Sequence, residues 1–221
     1  HKTFATPHGG GGPGSGPVAV KKTLEPFLPL PVVVKEGEAF RLVTDAKERP
    51  QTIGRLREFW GNFAMFVRAW ALIREYGPEG LALTGKLAVL NANYVRALLR
   101  GVYDLPYDTD SLHEVVFDDK LQNEHGVTTM DVAKGLVDQG FHPPTIYFPL
   151  VVPEAVMIEP TETESRQTLD QFSAVLIKIL QEAADSPELL ATAPHDCPVG
   201  RVDETRAARE LQLRWYPPER A

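Results

Sequence analysis

The sequence HKTFATPHGGGGPGSGP, residues 1–17, contains the most informative motif of the chain. Lys2 lies between His1 and Thr3. A lysine acts as a nucleophile only when it is deprotonated, which a desolvated site close to positive charge favours. A histidine beside the lysine and a backbone-rich loop after it are compatible with such a site. A lone lysine is nearly always a solvated surface charge, so these neighbours make a catalytic role for Lys2 possible without identifying it.

A proline-histidine step then leads into a glycine tract, whose first members are His8, Gly9, Gly10, Gly11 and Gly12. The tract contains the spacing G-x-G-x-x-G, but a dinucleotide fingerprint follows a strand and opens a helix. Here Pro13 interrupts the tract, and the segment after it, Val18 to Val20, predicts a short buried strand. So many glycines cost conformational entropy when ordered, so we expect a mobile loop that gates a site.

Five further segments look like segments of one known protein family and occur in the same order along the chain. They are Trp60-Gly61-Asn62, Leu90-Asn91-Ala92-Asn93-Tyr94, Asp131-Val132-Ala133-Lys134, Gly140-Phe141-His142-Pro143-Pro144-Thr145 and Ile158-Glu159-Pro160-Thr161-Glu162. Together with the His-Lys-Thr step, they resemble glycine decarboxylase, the P-protein of the glycine cleavage system. Each segment alone is unspecific, whereas the ordered set is specific and covers most of residues 1–185.

The resemblance implies an α/β fold, the C-terminal part of a fold type I enzyme of the aspartate aminotransferase type. It implies that Lys2 covalently binds pyridoxal 5'-phosphate (PLP), with His1 and Thr3 as further cofactor contacts. His8 and Gly9 to Gly12 would form a substrate or gating loop. The implied reaction is decarboxylation of glycine, with transfer of the aminomethyl group to lipoyl-bearing H-protein. The implied partners are the upstream part of the same enzyme and a homologous second subunit or half, which residues 1–100 would contact through a large apolar surface.

Two other functions stay open at this point. Serine hydroxymethyltransferase also presents a His-Lys-Thr step, but its following loop typically carries an arginine, which residues 4–16 lack. A non-catalytic interaction lobe is the alternative from a different class. For Asn91 and Asn93, surface polarity or packing contacts are the structural alternative to a role in the site. For residues 159–162 that alternative is a strand exit followed by a helix cap, and for His142 it is a structural turn.

Composition excludes some partners. The net charge of −7 over 221 residues argues against nucleic acid, which needs a concentrated basic face. The longest apolar runs are too short to span a bilayer. No metal site is predicted, and the single cysteine allows no intrachain disulfide. We expect a cytoplasmic location in a bacterium, or the mitochondrial matrix in a eukaryote.

The hydrophobic pattern predicts the order of elements. A hairpin is expected over residues 32–43, helices over 59–76 and 81–99, and strands over 113–117 and 155–158. Thr128 and Thr129 predict the start of a helix to Gly140, and Thr161 with Glu164 predicts a capping box for a helix over 165–184. The predicted domains are 1–105 (end of the large domain), 106–185 (small α/β domain) and 186–221 (a C-terminal tail on the surface).

Overall fold

The computed structural model describes residues 4, 16, 18–56, 61–215 and 217, and it divides the chain into two compact units, 1–82 and 83–221. The α/β class predicted from the sequence is confirmed. The predicted boundaries after residues 105 and 185 stay predictions.

The first unit is built around a β-hairpin. Strand β1 (Val32–Glu36) pairs antiparallel with β2 (Ala39–Val43), as the pattern of residues 32–43 predicts. Two 3-10 helices, Lys22–Phe27 and Ala46–Glu48, lie on either side in sequence. The guanidinium of Arg49 holds these flanks together by donating to the carbonyl oxygen and to the carboxylate of Glu25, at 2.7 and 2.6 Å.

The predicted strand at residues 18–20 is wrong. These residues form no strand, and the Val18 side chain is 77% exposed. Three apolar residues satisfy the pattern of a buried strand, but a strand also needs a neighbour to receive its backbone hydrogen bonds. None of the strands in the described part of the chain pairs with them.

One helical run extends through both units. Helix α1 (Phe63–Leu99) is interrupted at Gly77, where φ is 63° and ψ is −176°, and Pro78 follows. A positive φ suits glycine, which has no Cβ to clash, and proline is tolerated in a helix first turn. The two predicted helices are therefore present as one interrupted element. Its last turns are anchored in the second unit by Ala92, Val95 and Leu99, which are fully buried.

The second unit combines a three-stranded sheet with helices. Strands β3 (Val115–Phe117) and β4 (Thr145–Ile146) both pair antiparallel with β5 (Val156–Ile158), which lies between them. Helices α2 (Lys120–Asn123), α3 (Thr129–Asp138) and α4 (Arg166–Asp185) follow the strands in the chain. The core is formed by side chains from the end of α1, from β3 and β5, and from α3 and α4.

The starts of α3 and α4 differ in how well the sequence predicts them. Thr128 and Asp131 form a reciprocal capping box for α3, as Thr128 predicts. For α4 the predicted capping box of Thr161 and Glu164 is wrong, because the hydroxyl of Ser165 accepts the backbone N–H of Thr168 at 3.1 Å.

The predicted surface tail is wrong for its first residues. Helix α5 (Pro187–Thr192) lies against α3 and α4, and both Leu190 and Ala193 are buried. At Gly135 in α3 an added Cβ would lie 3.0 Å from the Cδ2 of Leu190, so glycine permits this close approach. Helix α6 (Glu204–Arg209) and the described residues after it, 210–215 and 217, are exposed.

Candidate functional site

The residues that the sequence singled out for cofactor chemistry fall outside the described part of the chain. They are His1, Lys2, Thr3, His8, Gly9, Gly10, Gly11 and Gly12. Their roles stay predictions. Two other segments singled out by the sequence, residues 140–145 and 158–162, do lie within the second unit, and the fold brings them together.

Both segments line one cleft, which has a volume of about 250 Å³. Residues 141–144 come from the loop after α3, residues 158–161 leave the central strand β5, and the first turns of α4 complete the cleft. Apolar side chains dominate, with Phe141 and Phe172 packed edge to face at a centroid distance of 5.4 Å. The polar lining residues are His142, Glu159, Thr161, Glu164 and Thr168. Such a cleft suits a ligand with an apolar body and few polar groups.

The wall at Thr161 has an unusual backbone. Thr161 has a φ of 63°, in the left-handed region that β-branched residues rarely occupy. A residue held there costs on the order of 1–3 kcal/mol and persists only where its surroundings enforce it. Its hydroxyl lies 2.9 Å from that of Thr163, which satisfies both groups locally. The strained residue belongs to the lining of the cleft.

Asn91 of helix α1 helps to hold Thr161 in this backbone conformation. Its Nδ2 donates to the carbonyl oxygens of Thr161 at 2.8 Å and of Glu164 at 3.2 Å. Asn93, in the same helix, donates to the carbonyl oxygen of Ser111 at 2.7 Å and accepts the Ser111 N–H at 3.0 Å. Both asparagines therefore make packing contacts between backbone segments that are distant in sequence.

The first turn of α4 is linked to α1 by a second set of polar contacts. The Tyr94 hydroxyl donates to the Asp170 carboxylate at 2.5 Å and accepts from Nε of Arg166 at 3.3 Å. The bond to Tyr94, followed by its charge and that of Asp170, raises the pKa of the Arg166 guanidinium, which stays fully ionised. Arg166 is the arginine nearest the cleft in sequence, and its side chain is 81% exposed.

A third cluster, centred on Asp131, holds α3 in place. The Asp131 carboxylate accepts from the backbone N–H and hydroxyl of Thr128, at 2.9 and 2.7 Å, and from Arg201. Thr129 donates its N–H to the Asp119 carboxylate at 2.9 Å and its hydroxyl to the Glu154 carbonyl oxygen at 2.8 Å. Because these side chains bond to one another and to the backbone around the start of α3, we interpret the cluster as structural.

Within residues 18–56 and 61–215, no three His, Cys, Asp or Glu side chains come together in a way that could hold a metal ion. None of the helices in that part of the chain combines the length and the apolar run needed to cross a bilayer.

The family model described as "Glycine dehydrogenase, C-terminal domain" matches residues 84–195, half of the chain. The chain belongs to this family. The matched region contains the whole cleft, Asn91 and Tyr94. The order of segments that resembled glycine decarboxylase is thus confirmed as a family resemblance.

Named relatives agree with the family assignment. The chain is 55% identical over 215 residues to a protein of Halalkalibacterium halodurans named "Probable glycine dehydrogenase (decarboxylating) subunit 2", covering 97% of this chain and 43% of that protein. A protein of the same name from Exiguobacterium sibiricum is 54% identical over 217 residues, 98% of this chain and 44% of that protein. The chain therefore spans less than half the length of these relatives.

A solved structure shares the fold. It is the inhibitor-bound glycine decarboxylase (P-protein) of the glycine cleavage system, with a TM-score of 0.56 and 20% sequence identity, over 73% of this chain and 38% of that chain. At this identity the likeness concerns the fold alone. It confirms the fold expected from the sequence.

Two features in and beside the cleft do not follow from local patterns in the sequence. The tyrosine of the segment 90–94 was not linked to Asp170, which lies 76 residues later, and no local spacing could have linked them. The strained backbone of Thr161 was also missed, because Pro160-Thr161 is compatible with an ordinary helix cap. The one available signal was that both segments belonged to the ordered family set.

Proposed function

We propose that this chain is the C-terminal part of the PLP-bearing subunit of glycine decarboxylase. The enzyme would decarboxylate glycine and transfer the aminomethyl group to the lipoyl group of H-protein. The family match over residues 84–195 carries the proposal. Because the chain spans under half of its relatives, we assign the activity to the whole enzyme and to this chain a share in its site.

Lys2 is the residue that we propose to hold the cofactor. A lysine amine is the group through which proteins attach PLP covalently, and when bound PLP supplies an electron sink for the loss of carbon dioxide. Lys2 binds the cofactor in the resting enzyme and reclaims it when product leaves. We propose His1 and Thr3 as further cofactor-binding residues, and His8 with Gly9 to Gly12 as a substrate or gating loop.

The cofactor site is tested by borohydride reduction of the complete enzyme, followed by peptide mass mapping. We expect a phosphopyridoxyl adduct on Lys2 and none on Lys21 or Lys22, which serve as internal controls in the same region of the chain. An adduct on another lysine in enzyme that contains PLP would overturn the assignment of Lys2. Enzyme without any PLP would support the non-catalytic interaction lobe instead.

The reaction is tested by release of carbon dioxide from labelled glycine. Dependence on H-protein supports glycine decarboxylase, whereas glycine turnover that needs a folate and not H-protein would support serine hydroxymethyltransferase. The family match favours the first outcome. A Lys2→Arg variant keeps the charge but is expected to lose release completely, because an arginine is not deprotonated in proteins.

We assign the cleft of residues 141–172 to the lipoyl arm of H-protein. A lipoyl arm has an apolar ring and chain with a single amide, and the cleft has mainly apolar walls with few polar groups. Phe141→Leu is expected to raise the KM for H-protein several-fold with little change in the KM for glycine. Phe148→Leu is the matched control, because Phe148 lies outside the cleft and is 55% exposed.

A second polypeptide is the remaining proposed partner. Large apolar side chains of the first unit are exposed, among them Val33 at 66%, Phe40 at 71%, Phe63 at 76% and Trp70 at 64%. We infer that these exposed apolar side chains contribute to an interface with another polypeptide. The names of the relatives, "subunit 2", favour another subunit as the partner. The bacterial origin of these relatives supports a cytoplasmic location.

A further inference from the structure

Asn91 joins the long helix α1 to the turn that closes the cleft. Its Nδ2 donates at 2.8 Å to the Thr161 carbonyl oxygen and at 3.2 Å to that of Glu164. A primary amide has two N–H donors, so a single side chain satisfies both acceptors. The two carbonyls mark the ends of the segment 161–164, which enters α4.

The anchor on the helix side is firm. Ala92, next in sequence to Asn91, has no exposed surface, and neither has Val95 one turn later. Both belong to a helix packed in the core of the second unit. Well-packed cores transmit displacement and resist local shifts, so the position of the Asn91 amide is set by the fold.

The conformation of the segment 161–164 depends on contacts with its surroundings, because it contains a strained residue. Thr161 has a φ of 63°, which a β-branched residue leaves when it is free to do so. If it relaxed, the wall formed by Glu159, Pro160 and Thr161 would shift relative to Thr168 and Phe172 in α4. The contact with Asn91 opposes that relaxation directly at the strained residue.

We propose that Asn91 is a positioning residue for the cleft, holding the segment 161–164 in the shape that receives the lipoyl arm of H-protein. The proposal rests on the function proposed above for the cleft. Asn91 touches no reacting atom; it acts through Thr161 and Glu164. Its loss therefore affects binding of the partner that uses the cleft and spares the chemical step.

Asn93 offers a matched control two residues later. It is also an asparagine of α1, and its Nδ2 also donates to two carbonyl oxygens, those of Val89 and Ser111, at 2.9 and 2.7 Å. Neither acceptor lines the cleft. Asn91→Asp and Asn93→Asp each replace an amide donor by an isosteric carboxylate facing carbonyl oxygens. We therefore expect comparable effects on stability and different effects on the cleft.

The test measures both variants in the complete enzyme. For Asn91→Asp we expect a KM for H-protein raised about tenfold, with kcat and the KM for glycine within about twofold of the wild type. For Asn93→Asp we expect a lower Tm and an unchanged KM for H-protein. If both variants raise this KM equally, or neither raises it, the positioning role is refuted. If Asn91→Asp does not fold, Asn91→Ser is measured against Asn93→Ser. The shorter serine side chain no longer reaches the two carbonyl oxygens, and it adds no charge.

Thr161→Gly provides a second test. Glycine adopts a positive φ without strain, so the segment no longer depends on Asn91. In the Thr161→Gly background, Asn91→Asp is expected to raise the KM for H-protein less than threefold. An undiminished tenfold rise would contradict a role that acts through Thr161.

Hydrogen exchange separates this proposal from the assignment of the enzyme. The backbone N–H groups of Thr163 and Thr168 are bonded to side chains of the turn, at 3.4 and 3.1 Å. We expect both to exchange faster in Asn91→Asp and at the wild-type rate in Asn93→Asp, whatever the activity. Faster exchange together with no glycine decarboxylation would reject the proposed function and retain the positioning of the turn. Unchanged exchange in active enzyme would reject the positioning alone.

Discussion

The guanidinium of Arg201 is bonded to the carboxylate of Asp131, 70 residues earlier in the chain. The same guanidinium donates to the carbonyl oxygens of Ala193 at 2.6 Å and Leu190 at 3.0 Å, at the end of α5. One side chain therefore joins the first turn of α3 to the last turn of α5. The Arg201 side chain is only 31% exposed.

We expect Arg201→Lys to lower the free energy of unfolding by about 1–3 kcal/mol. An ammonium is a point charge without the planar fork that reaches three acceptors, and hydrogen bonds to charged groups contribute about 1.5–3 kcal/mol. Arg206→Lys is the control, since its pair with Glu210 is exposed on both sides and is worth under about 1 kcal/mol. Urea unfolding measures both. A loss for Arg201→Lys no larger than for Arg206→Lys would mean that the link does not contribute to stability.

The start of α4 supports a second prediction. Ser165→Ala is expected to lower the free energy of unfolding by about 1 kcal/mol, because it removes the acceptor of the Thr168 N–H. Ser186 also precedes a helix, α5, but its side chain makes no capping bond. Ser186→Ala is therefore expected to stay within about 0.5 kcal/mol of the wild type. Thermal unfolding of the two variants compares them directly, and equal losses would contradict the assigned cap.

The same helix start illustrates how far the sequence could predict this fold. The hairpin at residues 32–43, α3 and the length of α4 follow from local patterns of apolar residues and from a Thr128–Asp131 capping box. Thr161 and Glu164 have the spacing of a capping box as well. Thr161 cannot act as one because its backbone is left-handed and its carbonyl oxygen is bonded to Asn91, a contact over 70 residues.

The candidate site, like the fold, was predictable from the sequence only in part. The segments that line the cleft belonged to the ordered set that resembled a known family, so their importance was predictable. Their proximity was not, because it depends on β5 lying between β3 and β4 and on α4 packing beside the loop after α3. The Tyr94–Asp170 bond joins residues 76 positions apart and has no counterpart in any local pattern.

Substitution of glycine by alanine is expected to have opposite effects at two helical positions, 135 and 85. Gly135→Ala places a Cβ 3.0 Å from Leu190 and 3.3 Å from Ile179. Overpacking of this kind costs about 1–3 kcal/mol, whereas the higher helix propensity of alanine stabilises by about 1 kcal/mol. We therefore expect a net destabilisation of about 1 kcal/mol. Gly85→Ala meets no atom within 4 Å and is expected to stabilise by up to about 1 kcal/mol. Guanidinium unfolding measures both changes. A stabilised Gly135→Ala would show that α3, α4 and α5 are packed less closely at this point.

Asp118 makes stability depend on pH. Burial raises the pKa of its carboxyl; the backbone N–H of Lys120 opposes this, and the negative charges of Asp104 and Asp119 add to it. The folded protein then binds this proton more tightly than the unfolded chain does. Stability therefore falls as pH rises from the unfolded pKa through the raised folded pKa, and above both values the ionised carboxylate imposes a constant penalty.

Asp118→Asn removes this penalty and keeps an oxygen that accepts the Lys120 N–H, bonded at 3.0 Å in the wild type. We expect the variant to be more stable at pH 7, by less than about 1 kcal/mol because the group is largely solvated. The difference should shrink as pH falls through the carboxyl range, where the wild-type carboxyl also becomes neutral. Urea midpoints between pH 4 and pH 7 measure it, with Glu124→Gln, an exposed acid at the end of α2, as the control. A gap that stays constant with pH, or one that widens toward acid, would exclude Asp118 as the group responsible.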